Sequence, residues 1–505
     1  MTQGQGGLRG RYALMSWSTG AGGRGISPPA APPEADATLK GTRMRHIAPT
    51  AAAAAALALA ATPLVAENRI DGLSPGAPEL AAYGDLAVGV RRLDLVNPDQ
   101  VDVVSIDPGA DPATPLPRYD RPLTVELWYP AAEGSTGDTS LDAYIRDGVT
   151  EVELQGRAVR DAAPAAGDEA YPLLLMSHGY PGNRFLMSHL AENIASKGYV
   201  VASIDHTDST YRTQGAFAST LVNRSLDQLF VLDQMARLNG DESSGLAGRI
   251  DAGNTALLGY SMGGYGALVT AGAGLTEAVT QNPFTSPRGV LGLHEAGSAT
   301  HEALPDPRIR TAVAIGPWGR QDTFAGPFWD ADALAEIEIP MLFVAGSNDT
   351  VSGYEEGVRR IWEETTGTDR ALLTFEGGSH NTVAPIPAPE ESFYFNEALG
   401  FEVSEHYTDP VWDSVFMNDV GQHFVTAWLD LELKGETDVA RYLDLPAMGA
   451  DGWTGFADGA ADGLRYETLA AGAVPAPIPV PASFWLLGLA LGGLGAARAR
   501  RGRAG

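Results

Sequence analysis

The chain has 505 residues, 44% of them apolar, with 16 Tyr, 15 Phe and 9 Trp, so it can bury a large core. Its 63 Asp+Glu against 34 Lys+Arg leave a net charge of −29, which repels phosphate backbones and anionic lipid surfaces and argues against nucleic-acid binding as the main role. The absence of Cys removes thiolate chemistry, Cys-based zinc sites and iron–sulfur clusters, while 60 Gly and 34 Pro fall short of the roughly 25–30% that marks low-complexity chains.

Residues 1–43 are rich in Gly, Arg, Ser, Pro and Ala without a hydrophobic period and read as a disordered or non-native leader. Met44-Arg45-His46 then opens IAPTAAAAAALALAATPLVA, which ends at Ala66. A basic start, an apolar middle and a small final residue form a signal peptide over 44–66, although Leu64 departs from a small-x-small cleavage site. Because such a signal works at an N-terminus, Met44 is the expected start. Export to the periplasm, cell envelope or extracellular space follows as an expectation.

From 67 to about 470 short β-branched runs alternate with helical patterns. LAVGVRRLDLV and LTVELWYPA read as early strands. YPLLLMSHG precedes helical RFLMSHLAENIASKG, YVVASIDH precedes SLDQLFVLDQMARLNG, and TALLGYS precedes MGGYGALVTAGAG. IRTAVAIGP, IPMLFVAGS with helix YEEGVRRIWEETTG, ALLTFEGG and a closing helix near VGQHFVTAWLDLELKG complete the series. Continuous apolar strands such as LLLM suit a parallel sheet covered on both faces. The fold class is α/β: one domain with a mostly parallel sheet of about eight strands and helices on both faces.

At the far end AVPAPIPVPA leads into SFWLLGLALGGLGAA and then Arg498, Arg500, Arg501 and Arg503. The apolar stretch 482–497 is shorter than the roughly 20 residues that span a bilayer comfortably. The order Val480-Pro481-Ala482-Ser483, apolar run, Arg cluster resembles the VPLPA/PEP-CTERM sorting tails of Gram-negative envelope proteins. That resemblance implies a Pro-rich linker and sorting tail over 471–505, with transient membrane contact and an exosortase-type sorting protease as partner. A plain C-terminal anchor is the alternative.

Gly259-Tyr260-Ser261-Met262-Gly263 follows a strand and opens a helix, the context a GxSxG nucleophile elbow requires. A serine hydroxyl is a weak nucleophile at neutral pH and needs a histidine to take its proton and a carboxylate to orient that histidine. The strand IPMLFVAGS ends in Asn348-Asp349-Thr350, and ALLTFEGG ends in Ser379-His380-Asn381, so acid and base arrive in order after the serine. Asp349 is the expected acid, with Asp322 as rival, and His380 the expected base. The oxyanion needs two fixed backbone donors. These are Met262 N–H and, from the loop Ser177-His178-Gly179-Tyr180-Pro181-Gly182, Tyr180 N–H. His206 and Asp208 carry no metal reading, since a lone pair in a strand-end loop more often bonds to neighbouring turns.

MSHGY, YVVASIDHTDST, GYSMGG, AIGPW, AGSND and GGSH, in that order, resemble the dienelactone-hydrolase-like branch of α/β-hydrolases, which includes platelet-activating-factor acetylhydrolase-like esterases and bacterial cutinase or polyester hydrolases. The resemblance spans about 170–385. It implies an α/β-hydrolase fold and ester hydrolysis through an acyl-enzyme, with no metal or cofactor. Tyr180, Met262 and Trp318 would line the acyl site. Gly316-Pro317-Trp318 stand where plasma-type acetylhydrolases carry their acid, which favours Asp349. Segments 275–309 and 384–417 read as insertions relative to open-groove polyester hydrolases. The aromatics Phe393, Tyr394, Phe395, Phe401, Tyr407, Trp412 and Phe416 would either roof the cleft or pack a C-terminal extension. The expected function is an exported serine carboxylic-ester hydrolase, EC 3.1.1-type, acting on small-molecule or lipid-like esters with short or medium acyl chains. The alternatives are a polyester or cutin-type hydrolase, a peptidase or thioesterase, and an inactive envelope binding protein on the same scaffold. Acyl length, leaving group and oligomeric state stay open.

Overall fold

A computed structural model describes residues 67–474, apart from Ala216, Asp322 and Phe324. The leader, the signal-peptide reading over 44–66, the tail beyond 474 and the rival acid Asp322 lie outside the described residues.

The central sheet contains β1 (Val88–Val101), β2 (Arg118–Pro130), β3 (Val159–Arg160), β4 (Tyr171–Ser177), β5 (Val200–Asp205), β6 (Ile250–Tyr260), β7 (Ile309–Ile315), β8 (Met341–Gly346), β9 (Arg370–Phe375) and β10 (Leu464–Leu469). Their order is β10-β9-β8-β7-β6-β4-β5-β2-β1-β3. From β5 through β9 every neighbouring pair is parallel. β10 closes one edge antiparallel to β9, and β2 runs antiparallel to both β5 and β1. All eight expected strands are present, joined by β3 and β10. A smaller three-stranded sheet of Asn68–Arg69, Glu151–Gln155 and Ser140–Tyr144 stands apart from them.

Side-chain alternation along the parallel strands divides the core in two. Leu173, Leu175 and Leu257 face one layer with Leu221 and Leu232 of α2 (Phe217–Gly240) and Leu268 of α3 (Met262–Thr270). Leu174, Met176 and Leu258 face the other with Leu190 and Ile194 of α1 (Ser188–Ala195) and Phe424 and Val425 of α4 (Ser414–Leu429). Both faces are therefore dry, which is why the strands read as unbroken apolar runs.

Each expected site residue follows a strand by one to five positions, at the carboxyl end of the sheet: β4 before Tyr180, β6 before Ser261, β7 before Trp318, β8 before Asp349 and β9 before His380. The chain moves from β4 to β5 on one side, then returns past β4 to β6 and proceeds the other way. Loops leaving β4 and β6 diverge at this reversal, the place where open α/β sheets gather their ligand sites. Among the described residues, no helix is long and apolar enough to cross a membrane.

Candidate active site

Ser261 occupies the sharp corner between β6 and α3 at φ 53°, ψ −113°, a conformation that β-carbon sterics disfavour. Its neighbours make room for it. A Cβ on Gly259 would come within 2.1 Å of Gly263 O, and one on Gly263 within 2.0 Å of Ser177 O, so neither position accepts a side chain. The Ser261 N–H donates to Ile315 O at 2.8 Å and its carbonyl accepts from Tyr265 N–H at 3.0 Å, which holds the corner in place.

His380 reaches the serine from the loop after β9. Its Nε2 lies 2.9 Å from Ser261 Oγ and its Nδ1 lies 2.8 Å from Asp349 Oδ2. The second carboxylate oxygen accepts from Val351 N–H at 2.8 Å and Ser352 N–H at 2.9 Å. Burial alone would push the Asp349 carboxyl up, but the adjacent His380 and these two amides outweigh it and hold the group below the ordinary carboxylate value. With its carboxylate ionised, Asp349 fixes a proton on Nδ1 and leaves Nε2 free to accept one from the serine. Gly316, at φ 50°, lies against this pair: a Cβ there would sit 3.3 Å from His380 Nδ1 and 3.5 Å from Asp349 Oδ2.

Two backbone segments flank the hydroxyl. Met262 is the first residue of α3, so its N–H has no intrahelical partner and points out of the helix start, where the macrodipole is positive. The loop after β4 passes on the other side: a Cβ on Gly179 would lie 3.4 Å from Ser261 Cβ. Arg224 of α2, fully buried, fastens that loop by donating to the carbonyls of His178 and of Gly179, the latter at 2.9 Å, and to Ser209 Oγ at 2.6 Å. Gly182 turns the loop back over the His178 ring, where a Cβ would come within 2.7 Å of Nδ1.

A row of aromatic rings extends from this point. Tyr180 packs edge-on to Phe217 at 5.2 Å between centroids, Phe217 to Trp318 at 5.5 Å, and Trp318 to Phe328 at 5.0 Å. Trp318 N–H also donates to Ser261 O at 3.3 Å. Of the expected residues, Met262 follows Ser261 directly, Trp318 donates to its carbonyl, and Tyr180 joins the row through Phe217. Phe217 was not legible: it opens α2 eight residues before the expected helix, and only the fold brings it between the other two rings.

A family model described as "PETase: PET hydrolase-like" matches residues 163–290. Cutinase est2 of Thermobifida alba is 26% identical over 214 residues, covering 42% of this chain and 54% of that protein. A platelet-activating factor acetylhydrolase of Cavia porcellus is 28% identical over 278 residues, covering 52% of this chain and 61% of that one. The chain thus spans little more than half the length of the curated relatives it matches. A solved ferulic acid esterase from Streptomyces cinnamoneus superposes with a TM-score of 0.54 at 21% identity, covering 79% of this chain and 99% of that structure. The fold is that of an α/β-hydrolase.

Within this fold, part of the segment 384–417 fastens the His380 loop. Asn381 Nδ2 donates to Glu405 O at 2.7 Å and Thr408 O at 2.9 Å, while its Oδ1 accepts from the Tyr260 hydroxyl at 3.2 Å. Asp409 accepts from Ser379 N–H at 2.6 Å. The residues before and after His380 are thereby tied down, and the Tyr260 ring lies 5.1 Å from the imidazole. The segment's aromatics divide in role. Trp412 stacks on Phe416 and packs edge-on to Phe375, Tyr407 and Phe401 lean on the 145–150 turn, and Phe393, Tyr394 and Phe395 are exposed. His206 and Asp208 both turn inward, His206 to Asp227 and Ser177, Asp208 to Arg121.

Proposed function

We propose that this protein is a serine carboxylic-ester hydrolase. Ser261 Oγ attacks the ester carbonyl as His380 Nε2 takes its proton, and Asp349 steadies the imidazolium that forms. The N–H groups of Tyr180 and Met262 hold the tetrahedral oxyanion. His380 then returns the proton to the leaving alcohol, and a water activated by the same imidazole releases the acyl group from Ser261. The row Tyr180, Phe217 and Trp318 offers an apolar bed for the acyl part. The observation that carries the reading is the continuous hydrogen-bond chain from Ser261 Oγ through His380 to Asp349, at 2.9 and 2.8 Å, beside the first N–H of a helix.

The names of the similar proteins, cutinase, acetylhydrolase and ferulic acid esterase, all denote ester chemistry and support the same class. Small or lipid-like esters with short or medium acyl chains are the proposed substrates. A polyester or cutin-type activity is the second reading, favoured by the PET hydrolase-like match over 163–290 and the aromatic row. Export through the 44–66 segment and removal of the tail by a sorting protease belong to the same proposal.

The test is an acyl-chain series of chromogenic esters, run beside a short phospholipid and a polyester film, with Ser261→Ala as control. Turnover should be greatest on one of these classes and fall by about 10⁴-fold or more in the variant. Equal turnover by both proteins would overturn the assignment.

A further inference from the structure

Arg146 stands in the turn between the strands Ser140–Tyr144 and Glu151–Gln155. Two contacts press this turn against the segments that surround the His380 loop. Its N–H donates to the Tyr407 hydroxyl at 3.0 Å. Gly148, at φ 73°, lies so near Tyr211 that a Cβ would come within 2.4 Å of Tyr211 O. The Tyr211 hydroxyl in turn lies 2.8 Å from His406 Nε2, and His406 sits in the 403–409 stretch that Asn381 fastens beside His380. Only a few side chains therefore separate Arg146 from the general base.

The guanidinium has no counterpart. Its Cζ lies 5.7 Å from the centre of the Phe401 ring, a weak cation–π contact at most, and among the described residues it has no carboxylate within 4.0 Å and no hydrogen-bond acceptor. Other buried or partly buried arginines are paired: Arg121 binds Asp227, Arg184 binds Glu126 and Asp205, Arg359 binds Glu467, and Arg224 and Arg370 donate to backbone carbonyls. Burial weakens the charged form of Arg146, and the ionisable groups near enough to act on it, Tyr211, Tyr407 and Tyr180, are phenols that burial keeps neutral. Tyr180 is the residue whose amide is assigned to the oxyanion. A partly desolvated cation without an acid, in a chain with 63 acidic residues against 34 basic ones, is stabilised most simply by an anion that arrives with the ligand.

We infer that Arg146, beside the Tyr407 hydroxyl, forms an anion subsite that selects esters carrying a second, ionised oxyacid group, a carboxylate or a phosphate, away from the scissile carbonyl. The subsite rests on the ester-hydrolase reading for its substrate, but not for its binding.

The test compares full-length wild type, Arg146→Gln and Arg146→Lys on three esters of matched size: a neutral alkyl ester, the half-ester of a dicarboxylic acid, and an ester bearing a phosphate. In wild type kcat/KM should favour an ionised ester over the neutral one. The ionised-to-neutral ratio should fall by about tenfold or more in Arg146→Gln and less in Arg146→Lys. A preference confined to the half-ester or to the phosphate arm names the oxyacid, and either supports the subsite. A ratio unchanged by Arg146→Gln overturns it and leaves the hydrolase reading standing. Calorimetric binding of succinate to Ser261→Ala, with and without Arg146→Gln, separates the two claims. Arg146-dependent binding of succinate or inorganic phosphate with no ester turnover in wild type supports the subsite and contradicts the hydrolase. Absence of both binding and ratio change overturns the subsite.

Discussion

Two Ser–His–Asp hydrogen-bond chains stand side by side on adjacent strands of this sheet. In one, Ser261 Oγ lies 2.9 Å from His380 Nε2, whose Nδ1 lies 2.8 Å from Asp349. In the other, Ser177 Oγ lies 3.1 Å from His206 Nε2, whose Nδ1 lies 2.9 Å from Asp227. Ser177 is paired with Gly259, two residues before Ser261. By distance the two are nearly the same device, and their surroundings decide the difference. The His380 side chain is 12% exposed and that of His206 1%. Ser177 Oγ also receives an N–H from Gln228 at 3.0 Å, and Asp227 is held by Arg121 at 2.8 and 2.9 Å. Burial pushes His206 down to about 4, so an imidazolium there is costly at neutral pH. On the proposed reading, a more exposed histidine and an unpaired helix-start N–H beside it set Ser261 apart from the structural network at Ser177, and the hydrogen-bond chain alone does not.

The comparison is broken most sharply at the two acids. Asp349→Asn should lower kcat on a short-chain ester by about 10⁴-fold, because the amide favours the wrong imidazole tautomer, with little change in thermal midpoint. Asp227→Ala should do the reverse. It leaves Arg121, which is 1% exposed, with Asp208 at 3.2 Å as its remaining acid and removes the partner of His206, and should cost roughly 3 kcal/mol of stability in urea unfolding. Comparable kinetic loss per folded molecule in both variants would erase the distinction.

Acid sharpens it next. His206 titrates near 4 in the folded protein and near 6.5 when unfolded, so the unfolded chain binds more protons between these values. The stability it contributes is complete above pH 6.5 and lost as pH falls towards 4. His294, down to about 4, and His189 and His423, down to about 3, act in the same direction. Asp419, pushed up to about 6 by burial, opposes them between its unfolded value near 3.8 and 6. Each buried histidine should remove on the order of 1 kcal/mol per pH unit below 6.5, read as a falling urea midpoint between pH 7 and 5. A midpoint independent of pH over that range would contradict the buried neutral assignment.

Asn381→Ala should give the smallest effect. It frees the His380 loop from Glu405, Thr408 and Tyr260 and should cost about tenfold in kcat with KM nearly constant if it acts on the proposed base rather than on the bound substrate. A purely structural role would lower the thermal midpoint and leave kcat per folded molecule unchanged.

The open chain of residues was legible in the sequence for a local reason. The elbow at Ser261 forces small residues at 259 and 263, and that constraint is written within five consecutive positions. Asp349 and His380 each follow an apolar strand directly, so chain order alone aligned them. What supports them was not legible, because it depends on partners far away in the chain: Arg224 on the loop after β4, Asn381 on the 403–409 stretch, Phe217 against Trp318. The start of α2 was missed because FASTLVNR carries Ser, Thr and Asn, which compete with helical backbone. Here they are buried and paired, Asn223 with Ser219 and Ser219 with Asp208. β10 escaped notice because LRYETL buries only alternate residues at the sheet edge, unlike the unbroken apolar runs beside it.

The most direct measurement is covalent. Wild-type protein treated with a fluorophosphonate and mapped by tandem mass spectrometry should carry a single adduct on Ser261, and His380→Ala should abolish it, while Ser177 stays unmodified in both. An adduct on Ser177, or ester turnover that persists with Ser261 unlabelled, would contradict the account.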